Sequence, residues 1–367
     1  MIYIHVPFCR TFCIYCSFYS EICAGSDSSE LRARYVRALV SEAAERAGEI
    51  AATRLPGMDS LYIGGGTPSL LGIDSLAEMV GALGARPEGE FTVEVNPDDI
   101  VEKGGEYARG LVGLGVNRVS MGVQSFDDGI LGWMRRRHDS RTAVEAFGIL
   151  RSAGIGNISI DLIFGMSQLA DAQWADTIDK AVSLHPEHIS AYQLSVEEGS
   201  ALYGMSDRGE YSEASDAQCA RQYGMLCDRL REAGYQHYEI SNWALPGYEA
   251  GHNSAYWTRV PYVGLGPGAH SFDGSRRSWN TESIDAYVRE SETLTAEDSK
   301  VETIMLALRT SAGIDADYLE YCCDRSVLDS MIAEKSLVGV NDPLTGRRLR
   351  IPEDRFFVSD DIIRRLI

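Results

Sequence analysis

The sequence YIHVPFCRTFCIYCSFYS, residues 3–20, carries three cysteines within eight residues, close to the start of the chain. They are Cys9, Cys13 and Cys16, in the spacing C-x3-C-x2-C, and Tyr15 directly precedes the third. Disulfides are rare in reducing compartments, where clustered cysteines more often bind a metal. A structural zinc site usually takes four protein ligands, and no second C-x2-C or H-x3-H follows nearby. Three thiolates on one loop suit a [4Fe–4S] cluster with one iron left open.

The composition is that of an ordinary globular protein with a strong acidic excess. The chain has 367 residues, 44% of them apolar, and a formal net charge of −20, which disfavours binding to nucleic acid or to anionic membranes. It contains no run of about 18 uncharged apolar residues and no signal-peptide pattern. We therefore expect a cytoplasmic protein that has no integral membrane segment and does not bind nucleic acid.

Strand-like and helix-like segments alternate over roughly the first 200 residues, which predicts an α/β fold with a parallel sheet. The strand-like segments are SLYIGGGTPS, FTVEVNP, RVSMGVQSF, ISIDLIFGM and HISAYQLSV, and the helix-like segments between them include residues 31–52, 70–83 and 141–153. We predict a core domain over residues 1–200, an extension over 201–290, and a small, mostly helical C-terminal domain over 291–367. The last of these ends in a hairpin-like stretch and resembles a winged-helix module.

Glycine and polar residues follow four of these strands at the point where each ends. They are Gly64–Thr67, Glu94, Gln124 and Asp161. Each of these residues could instead serve only to form the turn after its strand. Because the carboxyl ends of parallel strands meet at one edge of a sheet, four in succession indicate one shared site.

The cysteine spacing with Tyr15, together with the flanking YIHVPFC and CIYCSF, resembles the radical S-adenosylmethionine (SAM) enzymes. The resemblance is to the branch that contains oxygen-independent coproporphyrinogen III dehydrogenase (HemN) and the haem chaperones (HemW). It implies a partial (β/α)6 barrel and a [4Fe–4S] cluster on Cys9, Cys13 and Cys16. It also implies SAM on the open iron, where one electron from the cluster cleaves the sulfonium to a 5′-deoxyadenosyl radical.

The same resemblance implies that Tyr15 and a further set of residues bind SAM. Arg136 is chosen over Arg135 and Arg137 because the order Arg136-x-His138 matches the chaperone branch. An alternative for Arg136 is a basic helix end, and an alternative for Tyr3, six residues before Cys9, is an aromatic core residue. The implied residues are Tyr3, Gly65, Gly66, Thr67, Glu94, Gln124, Arg136 and Asp161.

Three features favour the chaperones over the dehydrogenase. The dehydrogenase pattern has a fourth cysteine where this chain has Phe18, and a longer N-terminal extension before its cluster. The segment HNSAYW, residues 252–257, matches the H-N-x-x-Y-W motif of the chaperones, which makes His252 the candidate axial ligand of haem. The alternative is a hydrogen-bonded loop histidine, and His5 and His270 are secondary candidates. We expect residues 238–272, rich in Gly and aromatics, to form loops around a flat ligand.

The predicted function is that of a haem chaperone, which binds haem or a porphyrin and delivers haem to acceptor proteins. The alternative is an oxygen-independent coproporphyrinogen III oxidase of haem biosynthesis. In either case the electron donor would be a protein such as flavodoxin or ferredoxin.

Overall fold

Strands and helices alternate along the first half of the molecule. A computed structural model describes residues 1–25, 27–284 and 287–367 of the chain. The strands of this part of the chain are β1 (Ile2–Val6), β2 (Phe8–Cys9), β3 (Glu21–Ile22), β4 (Leu61–Gly65), β5 (Phe91–Val95), β6 (Arg118–Gln124), β7 (Ile158–Phe164), β8 (His188–Gln193), β9 (Gln236–Glu239), β10 (Asn242–Ala244), β11 (Val263–Leu265), β12 (His270–Phe272), β13 (Arg276–Asn280), β14 (Arg289–Thr293), β15 (Ile314–Asp315), β16 (Val338–Asp342) and β17 (Gly346–Arg350). The helices are α1 (Ser28–Glu45), α2 (Ala47–Ala52), α3 (Ile73–Ala82), α4 (Pro97–Leu114), α5 (Asp128–Trp133), α6 (Ser140–Ser152), α7 (Asp171–Ser183), α8 (Ala201–Asp207), α9 (Asp216–Glu232), α10 (Gly251–Trp257), α11 (Ala296–Ala307), α12 (Ala316–Cys322), α13 (Arg325–Ala333) and α14 (Ser359–Ile363). Single 3-10 turns lie at Pro68–Leu70 and Glu353–Val358.

The main sheet has the strand order β11-β1-β4-β5-β6-β7-β8-β10-β9. The six strands β1 and β4 to β8 are parallel neighbours, each joined to the next through at least one helix. These strands are buried along most of their length, as strands covered on both faces are. This arrangement confirms the predicted partial (β/α)6 barrel.

The predicted helices are present with small shifts at their ends. The helix expected over residues 31–52 is divided into α1 and α2 at Arg46, whose backbone leaves the helical region. The Arg46 guanidinium reaches across to the edge strand, donating to the carbonyl of Gly264 at 2.7 Å and to Ser271 Oγ at 3.0 Å. The break therefore accompanies a buried link between the first helix and β11.

The aromatic stretch 238–272 differs from its prediction. It was expected to form loops around a ligand, but about half of it forms β10, β11, β12 and the helix α10. Trp243 and Ala244 are buried in the sheet, and β11 adds a parallel strand next to β1. Trp243 and Phe272 are buried by this packing, so part of the aromatic content serves the fold, and the composition alone did not indicate a ligand.

The C-terminal part contains α11 to α14 and a small sheet in the order β15-β17-β16, which includes an antiparallel hairpin. Its core contains Leu319, Leu328, Met331 and Leu349, all at most 3% exposed. This part is mostly helical, as predicted, but the 3-10 segment Glu353–Val358 and α14 follow the hairpin, so the chain does not end in it. Within the described ranges, no helix has the length and apolar character that a membrane crossing requires.

Candidate functional site

A cavity of about 660 Å³ opens at the carboxyl ends of the parallel strands. One wall is formed by the ends of β4 to β8, and the other by the cysteine loop, residues 7–25. The structure brings the predicted site residues together here, with the exception of Tyr3 and His252. Those that line the cavity are Cys9, Cys13, Tyr15, Cys16, Gly65, Gly66, Thr67, Glu94, Gln124, Arg136 and Asp161.

The cysteine loop is closed by a short parallel pairing of its two ends, β2 and β3. Glu21 N donates to the carbonyl of Pro7 at 2.7 Å, and Cys23 N donates to the carbonyl of Cys9 at 2.8 Å. Between these ends, Cys16 N donates to the carbonyl of Cys13 at 3.4 Å, which folds the loop into a turn. The thiols of Cys9, Cys13 and Cys16 are all free, partly exposed and on the cavity wall.

The donor set fits an iron–sulfur cluster held by three thiolates. Burial raises the pKa of the Cys9 thiol and raises that of Cys16 to about 11, so both thiols keep their protons until a cation replaces them. Cys23 does not join them, since it is buried and its thiol donates to the carbonyl of Ser28 at 3.7 Å. Three thiolates facing one cavity agree with a cluster that keeps one iron available to a ligand.

Gly65 and Gly66 let the end of β4 pass directly under the cysteine loop. A β-carbon on Gly66 would lie 2.6 Å from the carbonyl oxygen of Phe8, and one on Gly65 would lie 2.7 Å from the His5 ring. Gly65 also has a φ of +113°, which side chains rarely adopt. Gly66 therefore makes room for the loop and Gly65 for the His5 ring. On the cavity side, the peptide groups of both glycines are left uncovered.

Thr67 and Asn96 join the loop to the strand ends. The Thr67 hydroxyl lies 3.6 Å from Cys9 Sγ and accepts a hydrogen bond from Asn96 Nδ2 at 3.1 Å. Asn96 Oδ1 in turn accepts from Arg136 Nη2 at 2.8 Å. Asn96 was not among the site residues predicted from the sequence, so its bridging position is a new observation.

Glu94 presents a carboxylate to the cavity from the end of β5. Its Oε1 accepts from the hydroxyl of Tyr62 at 2.7 Å, and its Oε2 accepts from Gly65 N at 3.0 Å. Burial raises the pKa of Glu94 from 4.5 to about 7, despite both hydrogen bonds. The group can thus accept from a hydroxyl or attract an ammonium, and a bound cation would favour its ionised form.

Asp161 and Gln124 complete the strand-end wall. The Ser120 hydroxyl lies 2.9 and 3.0 Å from the two carboxylate oxygens of Asp161, which share its single hydrogen, and burial raises the pKa of Asp161. Gln124 has a φ of +68°, at an irregularity in the pairing of β6 with β7. This left-handed conformation is costly for a residue with a side chain and is common at functional sites.

Arg136 is the arginine of the three that reaches the cysteines. Its Nη1 donates to Cys13 Sγ at 3.5 Å and its Nη2 to the carbonyl of Gly122 at 2.5 Å, while its Nε is buried without a hydrogen-bond partner. Arg137 instead forms ion pairs with Asp98 and Asp99, and Arg135 is exposed. A fixed positive charge therefore faces the thiols from the barrel side.

Tyr3 and His252 lie behind the cavity wall, on either side of Tyr62. The Tyr62 ring is 6.1 Å from the Tyr3 ring and 5.2 Å from that of His252, and Tyr62 itself lines the cavity. The Tyr3 hydroxyl is 3.0 Å from Nδ1 of His5. Tyr62 was not selected from the sequence, because a tyrosine in a buried strand has the signature of an ordinary core residue.

Both ring nitrogens of His252 have partners within the protein. Nδ1 lies 2.8 Å from Ser60 Oγ and Nε2 lies 2.9 Å from the hydroxyl of Tyr256. The side chain is 1% exposed, and burial lowers the pKa of His252 to about 3, so the imidazole is neutral. Its neighbour Asn253 lines the cavity. Among the secondary candidates, His5 is buried, whereas His270 is exposed and stacked on Trp279 at 6.0 Å.

Three comparisons with known proteins agree with one another. The family model of the radical SAM superfamily matches residues 3–181. The chain is 33% identical to the haem chaperone HemW of Bacillus subtilis, over 92% of each chain. It is 32% identical to HemW of Mycobacterium tuberculosis, over 100% of this chain and 94% of the relative. The solved structure of coproporphyrinogen III oxidase (HemN) from Escherichia coli, a radical SAM enzyme, superposes with a TM-score of 0.78 at 19% identity, over 99% of this chain and 89% of that one.

Proposed function

Because this chain belongs to the HemW family of the radical SAM superfamily, we propose that it is a haem chaperone, which binds haem and delivers it to acceptor proteins. The observation that carries the proposal is the similarity to two HemW proteins over nearly the whole chain. The cavity that gathers three free thiols and the SAM-type residues supports it from the structure. We place the protein in the cytoplasm.

We propose that Cys9, Cys13 and Cys16 hold the [4Fe–4S] cluster and leave one iron to SAM. When bound, such a cluster supplies one electron to the sulfonium of SAM. Arg136 places positive charge at 3.5 Å from Cys13 Sγ, where it would offset the negative charge of the cluster and its thiolates. Tyr15, on the same wall, helps to keep water away from the thiols.

The remaining strand-end residues are proposed to bind and orient SAM. Gly65 and Gly66 offer bare peptide groups, Thr67 a hydroxyl, and Glu94 and Asp161 offer carboxylates for the amino group and the ribose. Gln124 adds an amide from its left-handed position. We assign Tyr3 a positioning role, because its ring packs on Tyr62 and Tyr62 holds the carboxylate of Glu94.

We propose His252 as the axial ligand of haem. A neutral imidazole is the form that binds haem iron, and burial keeps His252 neutral by lowering its pKa to about 3. Ligation through Nε2 requires the hydroxyl of Tyr256 to release that nitrogen, since the two atoms lie 2.9 Å apart. Tyr256 and Trp257 are partly exposed on the same helix, α10, and could then contact the porphyrin face.

Synthesis of protoporphyrin by decarboxylation of coproporphyrinogen III is the competing function. The position of the fourth cysteine of the dehydrogenase pattern is occupied by Phe18, which is 71% exposed at the cavity rim. Phenylalanine cannot supply a thiol there, so the delivery function is favoured. An electron donor such as flavodoxin or ferredoxin, and the haem-acceptor proteins, are the partners that this function requires.

The test is addition of haem to the anaerobically reconstituted protein, followed by visible spectroscopy. We expect a stable haemoprotein spectrum that is lost in His252→Ala and retained in the control His270→Ala, an exposed histidine. Incubation with coproporphyrinogen III, SAM and reductant should give no vinyl porphyrin. Turnover of coproporphyrinogen would overturn the proposal, and haem binding that survives in His252→Ala would remove His252 as its ligand.

A further inference from the structure

A second group of metal-ligand side chains lies where the C-terminal part packs on the barrel, away from the cysteine cavity. It consists of Cys227 on α9, His237 on β9 and Glu353 at the start of the final 3-10 turn. One ligand atom from each lies within 4.8 Å of the other two. Cys227 and His237 are buried and Glu353 is partly exposed, so the group lies at the edge of the interface.

The hydrogen bonds around His237 leave one of its nitrogens without a hydrogen. Tyr223 donates its single hydroxyl hydrogen to the carbonyl of Ile240 at 2.8 Å. The Tyr223 oxygen, 3.3 Å from His237 Nε2, must therefore accept from that nitrogen. In the neutral ring this leaves Nδ1 as a bare lone pair.

That lone pair faces a carboxylate. His237 Nδ1 lies 3.4 Å from Glu353 Oε1 and is buried with no hydrogen-bond partner. Two lone pairs at this distance repel each other unless a positive charge lies between them or a second proton is added to the ring. The position is thus suited to a cation.

The imidazole is held rigidly in this orientation. Its ring is stacked on Trp243 at 4.1 Å with an interplanar angle of 15°, and the edge of Phe356 packs against it at 4.9 Å. A partner on the second ring nitrogen, here Tyr223, is the usual device that fixes the tautomer of a metal-binding histidine.

We propose that Cys227, His237 through Nδ1 and Glu353 bind one zinc ion, with water as the fourth ligand. Thiolate, imidazole and carboxylate together are a donor set typical of zinc. Ligand atoms around tetrahedral zinc lie about 3.5 Å apart, so the side chains need to close by only about 1 Å. Arg231 donates to Glu353 Oε1 at 3.1 Å and orients the carboxylate, and because a carboxylate oxygen has two lone pairs, Oε1 can still bind the ion.

The ion would fasten the C-terminal part to the barrel. Cys227 and His237 belong to elements that extend the main sheet region, whereas Glu353 begins the segment that leads to the last helix. Binding would therefore stabilise the interface without entering the cysteine cavity.

The test uses the full chain with its iron–sulfur cluster reconstituted, so that the cluster cysteines are occupied. After incubation with zinc and removal of the excess, we expect one zinc per chain by elemental analysis. Absorption spectroscopy at the zinc edge should show one sulfur at about 2.3 Å and nitrogen or oxygen ligands at about 2.0–2.2 Å.

Variants separate the proposed ligands from other cysteines. Cys227→Ser and Glu353→Gln should each lower the zinc affinity by at least about tenfold. Cys219→Ser, a buried cysteine on the same helix, should leave it unchanged. Glu353 is partly exposed, so its variant should fold even if that of Cys227 does not. A wild-type protein that retains no zinc, or retains it equally in Glu353→Gln, would overturn the proposal.

Discussion

Arg136 donates a hydrogen bond to the sulfur of Cys13 at 3.5 Å, although the two residues are 123 positions apart in the chain. The same guanidinium donates to Asn96 Oδ1 at 2.8 Å and to the carbonyl of Gly122 at 2.5 Å. It therefore joins the cysteine loop to the ends of β5 and β6. A rigid cation in a partly desolvated cavity interacts strongly with a neighbouring thiolate.

We predict that Arg136→Gln lowers the affinity for SAM by about ten- to one-hundredfold, the size expected for a lost charge-assisted hydrogen bond. Iron content after reconstitution should also fall, because Cys13 loses its nearest positive charge. Isothermal titration with SAM and iron analysis measure both effects. Arg141→Gln is the control, since Arg141 is exposed on α6 and does not line the cavity, whereas Arg135 does. Equal affinity in the two variants would show that Arg136 has no part in the site.

Glu94 should make the stability of the SAM-free protein depend on pH. Burial raises its pKa from 4.5 to about 7, so between these values the folded state binds a proton that the unfolded state has released. The contribution of Glu94 to the free energy of unfolding should therefore fall by roughly 3 kcal/mol as pH rises through this window. Denaturant unfolding from pH 4.5 to 8 measures it. Glu94→Gln should remove this decline. A similar decline due to Glu239 should remain, because burial also raises the pKa of Glu239 to about 7. Parallel pH profiles in wild type and variant would contradict the prediction.

Much of the fold and of the cavity could be predicted because both follow from local patterns. The six parallel strands are apolar runs separated by helices, and their carboxyl ends must meet at one edge of the sheet. Glu94, Gln124 and Asp161 are therefore brought together by topology alone. The choice of Arg136 among three adjacent arginines needed the family pattern, since the helix-end sequence does not fix which one turns inward.

What could not be predicted depends on packing between distant segments. Tyr62 separates Tyr3 and His252 from the cavity. Tyr3 lies beside Tyr62 because of the register of β1 against β4, and His252 lies there because of the position at which α10 packs. The roles of Gly65 and Gly66 also required the structure, because their missing side chains make room for Phe8 and His5. In the stretch 238–272, aromatic residues that fill a sheet have the same composition as aromatic residues that surround a ligand.

The contact between Gly66 and the cysteine loop predicts a large effect from a single methyl group. A β-carbon would lie 2.6 Å from the Phe8 carbonyl oxygen, which is backbone and cannot rotate away. We expect Gly66→Ala to lower the free energy of unfolding by about 1–3 kcal/mol and to reduce cluster content, because the loop is displaced. Gly113→Ala is the control. Gly113 is exposed in α4, and an added β-carbon would have no atom within 4 Å, so this variant should gain about 0.5–1 kcal/mol in the free energy of unfolding. Cluster content in Gly66→Ala equal to that in Gly113→Ala would show that the loop is not fixed by this contact.

The hydrogen bond between Tyr256 and His252 predicts a gain in haem affinity when it is removed. If His252 ligates haem through Nε2, the hydroxyl of Tyr256 competes with the iron for that nitrogen at 2.9 Å. Tyr256→Phe keeps the ring, which packs edge-on against Tyr262 at 4.7 Å, and removes only the competitor. We expect haem to bind about three- to tenfold more tightly, which corresponds to one hydrogen bond of about 0.5–1.5 kcal/mol. Spectroscopic titration of the wild type, Tyr256→Phe and the control Tyr262→Phe measures the difference. Weaker binding in Tyr256→Phe would instead mean that the hydroxyl orients the imidazole toward haem, and unchanged binding in both variants would place the haem ligand elsewhere.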